Sequence, residues 1–191
     1  MRPGVVTFSS TIERRTDLIL IYWKAFEHQG ETHSLDHLHP MSWKLNQEAK
    51  GTNPQRIYNI EITFSMHAFT RSIDHSQIDE SLHYSDKKET RHFCFERYEL
   101  SKQLPAIIQS LDKGYVFHTG RQNFMRIDIA DAKYEIYFVV RRSAKADFDL
   151  DIYIQSAYQR TYGNSPRAGK IKFYVVAHNT LHNKPIKPHK R

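Results

Sequence analysis

The sequence predicts an α+β fold: an antiparallel meander sheet packed by one or two helices, with an irregular N-terminal extension. Two observations carry that expectation. Apolar and polar residues alternate with period two from Tyr58 onward and again in several runs after residue 115, which is the pattern of half-buried strands. Between them lies one stretch in which Leu100, Leu104, Ile107, Ile108 and Leu111 share a helical face. Short connections between the strand-like runs favour hairpins, and hence antiparallel pairing with one face covered by helices.

Residues 1–16 read as an irregular leader. The apolar run 17–26 is too short to span a membrane. It reads as a helix with Thr16 or Asp17 as N-cap and Gly30 just past its end, although its β-branched and aromatic content also suits a buried strand. Residues 28–56 hold His28, His33, His37 and His39 together with Pro40, Gly51 and Pro54, the composition of a long connection with little regular structure. Tyr58, Ile60, Ile62 and Phe64 then form the buried side of a strand. Continued, that strand would carry His67, Phe69 and Arg71 on its polar face, and the polar segment 72–90 follows as a loop.

Ser101 is the expected N-cap of the amphipathic helix, because Pro105 is tolerated only in the first turn. Gly114 is its expected stop. The strands after it are expected at 115–119, 123–129, 134–142 and from Leu150 to Ala157, with a last one at 170–178 that alternates Ile171, Phe173 and Val175 against Lys172, Tyr174 and Val176. The chain thus divides into an N-terminal extension with a helix and a His-rich connection (1–56), an α+β core domain (57–183) and a basic tail (184–191).

The 191 residues suffice for one domain with a hydrophobic core, and an aromatic share of 13% implies a core built from large rings. Lys and Arg number 28 against 21 Asp and Glu, a formal net charge of +7. Such a surface attracts polyanions, because neutralised phosphates release counterions. A single cysteine, Cys94 between Phe93 and Phe95, excludes an internal disulfide and a cysteine-rich zinc site. No signal-like segment or membrane-length apolar run is present, so no membrane partner is expected and the expected location is the cytoplasm.

Several residues carry possible chemistry. His33, His37 and His39 have a spacing that could serve zinc or nickel, yet Pro40 interrupts the segment and no general-base Glu accompanies them. Exposed loop histidines explain them more simply, and a metal-dependent hydrolase stands or falls with a bound metal. The main expectation needs neither metal nor cofactor. Metal-independent cleavage of RNA requires a base for the 2′-hydroxyl, an acid for the leaving oxygen and cations on the phosphorane. His67 and His118 suit the proton transfers. Arg71, Arg141 and Arg160 suit the phosphate, with Arg97 and Thr119 nearby on the expected polar side. Tyr158 sits beside Arg160 in a run through Asn164 that could stack on bases. The competing reading is a non-enzymatic basic module that recognises nucleic acid or a protein, with a flat spread of Arg, Lys and aromatics in place of a catalytic cleft.

In the order and character of its elements, about residues 57–180 resemble the RelE–barnase–EndoU class of small ribonucleases. Segments such as His67-Ala68-Phe69-Thr70-Arg71 and Tyr134-Glu135-Ile136-Tyr137-Phe138 are also similar to proteins of bacterial mobile elements. That resemblance implies a toxin-like effector that cleaves RNA without metal, together with a neutralising protein partner. It transfers no individual active-site residue.

Overall fold

In the computed structural model, which describes residues 22–49, 51–52, 54–76, 78–118, 124–129, 134–160 and 169–187, the chain enters through a hairpin. β1 (Phe26–His28) and β2 (Glu31–His33) pair antiparallel. Gln29 (φ 50°) and Gly30 (φ 82°) form the turn between them. Two consecutive positive φ values match the twist of a two-residue hairpin. Gly30 therefore closes a hairpin and does not stop a helix. Residues 22–25 are irregular, so the helix expected at 17–26 does not form over its described part, and 17–21 lie outside the described residues. Trp23 and Phe26 are buried instead as members of an aromatic cluster.

The expected irregular connection also contains structure. A 3-10 turn spans Asp36–Leu38, and β3 (Met41–Gln47) pairs antiparallel with β4 (Arg56–Phe64). Its histidines and proline masked the alternation of Trp43 and Leu45, both buried. β4 ends at Phe64. Ser65 then caps a 3-10 turn, Met66–Ala68, by accepting from the His67 backbone N–H. The strand therefore does not continue through His67, and Phe69 is fully buried, not on a polar face.

β5 (Thr70–Arg71), β6 (His83–Ser85) and β7 (Thr90–Phe93) make a small antiparallel sheet in the order β5-β7-β6. Part of the segment read as a loop is thus strand. The amphipathic stretch is two helices, α1 (Phe95–Ser101) and α2 (Leu104–Gln109), followed by a 3-10 turn at Ser110–Asp112. Ser101 ends the first helix and does not cap the second, while Pro105 does lie in a first turn.

β8 (Tyr115–His118), β9 (Phe124–Ile129), β10 (Tyr134–Arg142) and β11 (Leu150–Gln159) form the expected antiparallel meander. β12 (Gly169–Lys172) returns beside β8, and the segment read as the rest of that strand is α3 (Phe173–Leu181). Its inward residues Phe173, Val176 and Ala177 follow helical spacing, and their burial outweighs the strand preference of the adjacent valines.

The resulting seven-stranded sheet has the order β12-β8-β9-β10-β11-β4-β3. β11 pairs with β4 in parallel, so this junction departs from the antiparallel meander. Asn59 and Asp149 clamp its start: the Asn59 backbone N–H donates to Asp149 Oδ2, and the Asp149 N–H to the Asn59 carbonyl, each at 2.8 Å. On one side of the sheet Ile60, Ile62, Phe138, Val140, Ile152 and Ile154 are buried. α3 lies there, its Phe173 ring against Trp43 and Phe138. A second aromatic cluster of Trp23, Phe26, Phe69, Tyr84 and Phe93 joins the first hairpin to the small sheet. No helix among the described residues is long and apolar enough to cross a membrane.

Candidate functional site

Two polar assemblies occupy the large sheet. The first lies where β10 begins and β11 ends. Glu135 stands opposite Tyr158 in the register and is buried to 3% exposure. Arg160 donates to both of its carboxylate oxygens, from Nε at 2.7 Å and from Nη2 at 2.6 Å, and the Tyr137 hydroxyl donates to Oε2 at 2.7 Å. The rings of Tyr137 and Tyr158 stack, with centroids 5.8 Å apart, and Arg97 lies over Tyr158 from α1. Burial first, then the bonds with Glu135 and Tyr158, pushes the Tyr137 phenol up to about 12. A phenol held this firmly protonated is a donor and not a base at neutral pH. The bonds to Glu135, first among the causes, hold the Arg160 guanidinium well above its usual range. Arg160 is thus committed to an internal ion pair.

The second assembly lies where β10 ends beside the C-terminal end of α3. Arg141, Arg142, Asn179, Thr180, Asn183 and Lys184 line a cleft of about 370 Å³. Three basic residues and three that carry an amide or a hydroxyl line it; the Asn179 amide donates to the Pro185 carbonyl at 3.1 Å, and the Thr180 hydroxyl is buried without a partner. Next to it, His178 Nδ1 accepts from Arg56 Nη1 at 3.1 Å and lies 3.3 Å from the Tyr58 hydroxyl. Burial, followed by the charges of Arg56, His182 and Lys184, lowers the affinity of His178 for a proton. On the sheet beside Arg141 stands Asp151, whose carboxyl is pushed up by burial and further by Glu61, against a bond from Ser143.

These assemblies gather some of the residues singled out in the sequence and leave others apart. Tyr158 and Arg160 meet, at 3.3 Å between hydroxyl and Nη2. Arg141 belongs to the cleft. His67 lies elsewhere, in the 3-10 turn after β4, where its Nε2 bonds Glu89 Oε1 at 2.6 Å. That bond, first among the causes, lowers the Glu89 carboxyl. Arg97 reaches the same turn and donates to the carbonyls of His67 and Thr70 at 3.2 and 2.7 Å. Arg71 is exposed on β5. His118 is on β8, three strands from β11, about 14 Å away at the usual strand spacing. Thr119, residues 161–164 of the aromatic and basic run, and tail residues 188–191 lie outside the described residues.

The loop histidines also have other partners. His37 Nε2 is 2.8 Å from Ser101 Oγ, His39 Nε2 is 3.0 Å from the Trp23 carbonyl, and His33 packs among Phe93, Phe95 and Tyr98. Among the described residues no three His, Cys, Asp or Glu side chains are placed together to hold a metal ion. Sequence reasoning missed Glu135, Tyr137, Asn179, Thr180 and Asn183. The helical spacing of Phe173, Val176, Ala177 and Thr180 was the available signal for the helix that carries Asn179 and Thr180 and leads into Asn183 and Lys184.

A model of the YjaZ family matches residues 25–181. The Escherichia coli K12 protein named Protein YjaZ is 29% identical over 170 residues, covering 86% of this chain and 93% of its own length. No solved structure matches. These findings overturn the resemblance to RelE–barnase–EndoU ribonucleases and to mobile-element proteins. The neutralising partner was implied by that resemblance and draws no support from these findings. The likeness rested on the order and character of the elements and on short segments, and part of one expected strand is a helix.

Proposed function

We propose that this chain, which belongs to the YjaZ family, is a cytoplasmic binding module for the phosphate backbone of nucleic acid, RNA in particular. The observation that carries this reading is the cleft of Arg141, Arg142 and Lys184 with Asn179, Thr180 and Asn183 around it. Guanidinium groups offer paired donors that match phosphate oxygens, and neutral amides and hydroxyls add bonds without adding repulsion. The net charge of +7 draws a polyanion toward such a site. A binding role fits better than a catalytic one because His67 and His118 occupy different parts of the fold, and Arg160 is engaged by Glu135.

Fluorescence anisotropy with a labelled single-stranded RNA should show affinity that falls linearly on a logarithmic salt axis. Each phosphate contact contributes about 0.7 to the slope for a single strand. The Arg141→Ala/Arg142→Ala variant should bind more weakly by about tenfold or more, with a slope shallower by roughly 1 to 2. Equal affinity and equal slope in wild type and variant would refute the cleft as the phosphate site.

A second reading, RNA cleavage without metal, is favoured by one observation. Glu89 orients the His67 imidazole at 2.6 Å, at the surface, with Arg91 Nη1 at 3.4 Å from the same carboxylate. A carboxylate-oriented imidazole is suited to take a hydroxyl proton. His67→Ala should then lower cleavage of RNA in the presence of a chelator by about a hundredfold or more, whereas undiminished cleavage by the variant removes this reading.

A further inference from the structure

Tyr115, at the start of β8, is 44% exposed. β12, the edge strand of the seven-stranded sheet, sets Lys172 directly opposite it and Lys170 on the same face. The Lys170 ammonium lies over the tyrosine ring at 4.6 Å from its centroid, and the Lys172 ammonium at 5.5 Å. Lys172 also reaches the ring of Tyr174, in the first turn of α3, at 5.8 Å. Among the described residues neither lysine meets a carboxylate, whereas Lys102, Lys145 and Arg160 each have one. Two unneutralised charges and an exposed aromatic ring thus share one spot. Lysines on an edge strand discourage pairing with another chain, but an exposed ring adds nothing to that role and leaves apolar surface in water.

We infer that this spot is a stacking platform for a base of single-stranded nucleic acid, a subsite additional to the phosphate cleft; the inference rests on the reading that the chain binds nucleic acid. Every base has a π-face that a tyrosine ring can stack on, and the phosphates flanking a stacked base are what a pair of ammonium groups neutralises. The register of β8 with β9 takes in Phe117 and His118, and Tyr115 stands beyond that paired stretch, at the rim of the sheet. α3 runs from the platform to the cleft: Lys172 stands at its start, and Asn179 and Thr180 near its end line the cleft. At about 1.5 Å per residue, Lys172 and Asn179 lie roughly 10 Å apart along the helix axis, a span that a short single strand bridges. One strand can therefore keep its phosphates in the cleft and a base on Tyr115. The platform then distinguishes nucleic acid from a bare polyanion, which the cleft alone does not.

Anisotropy competition on the full-length protein tests the platform with two probes of equal phosphate number, an oligoadenylate and an abasic oligomer of the same length. Wild type should bind the oligoadenylate more tightly by about fivefold or more, the gain from one stacked base. Tyr115→Ala, at an exposed position outside the core, should bind both probes alike with an unchanged salt slope. Tyr115→Phe keeps the ring and should keep the preference. Lys170→Gln/Lys172→Gln should weaken binding of both probes and make the slope shallower by roughly 1. Cleft and platform fail separately. A preference that Tyr115→Ala abolishes, with Arg141→Ala/Arg142→Ala binding as wild type does, would remove the cleft and keep the platform. Equal binding of the two probes by wild type, or a preference undiminished in Tyr115→Ala, would overturn the platform even where the cleft variant has lost affinity.

Discussion

Glu135 is tolerable at 3% exposure because Arg160 gives it two charge-assisted bonds and Tyr137 a third. Removing Arg160 would leave that carboxylate buried and uncompensated. Arg160→Ala should therefore destabilise the protein by about 3 kcal/mol, the low end for a broken buried pair because the guanidinium itself reaches solvent. Urea unfolding measures this loss, and a second substitution, Glu135→Gln, should recover part of it. Tyr158 and Arg160 were legible in the sequence as neighbours at a strand end. Their anchor was not, because Glu135 lies 25 residues from Arg160. What brings the two together is a register with a bulge between Tyr137 and Phe138. A period-two pattern shows which face a residue occupies, not which residue on the next strand it meets.

At the scale of elements, legibility followed length and purity of pattern. β10 and β11 run for nine and ten residues, and alternation identified both. β1, β2, β5 and β6 have two or three residues each, too few for a period to emerge. α3 was hidden differently. Its Phe173-Tyr174-Val175-Val176 start favours a strand locally, and what fixes the helix is tertiary contact with the sheet. Phe173→Ala tests that account. Loss of a fully buried ring against Trp43 and Phe138 should cost about 3 to 5 kcal/mol in urea unfolding. It should also reduce polyanion affinity, because the same helix presents Asn179 and Thr180 to the cleft.

For the molecule as a whole, two histidines set a pH dependence. Burial, with Lys102 next in effect, lowers the proton affinity of His37; burial, with Arg56 next, does the same for His178. Below about pH 6.5 the unfolded chain therefore binds more protons than the folded one at these sites. Stability should fall as pH drops through that value and level off beneath the folded values. Urea midpoints between about pH 5 and pH 7.5 should show that slope, flattened in His37→Gln and His178→Gln. The parallel junction of β11 with β4 has a consequence of another kind. Asn59 and Asp149, its clamp, are 90 residues apart in sequence, so during synthesis β4 emerges long before the strand that covers its edge. Until β11 arrives, the β3–β4 hairpin exposes an unpaired row of backbone donors and acceptors. Pairings this distant are slow to close. A growing chain in that state is vulnerable to association with its neighbours on a polysome, and the last third of the polypeptide ends that vulnerability.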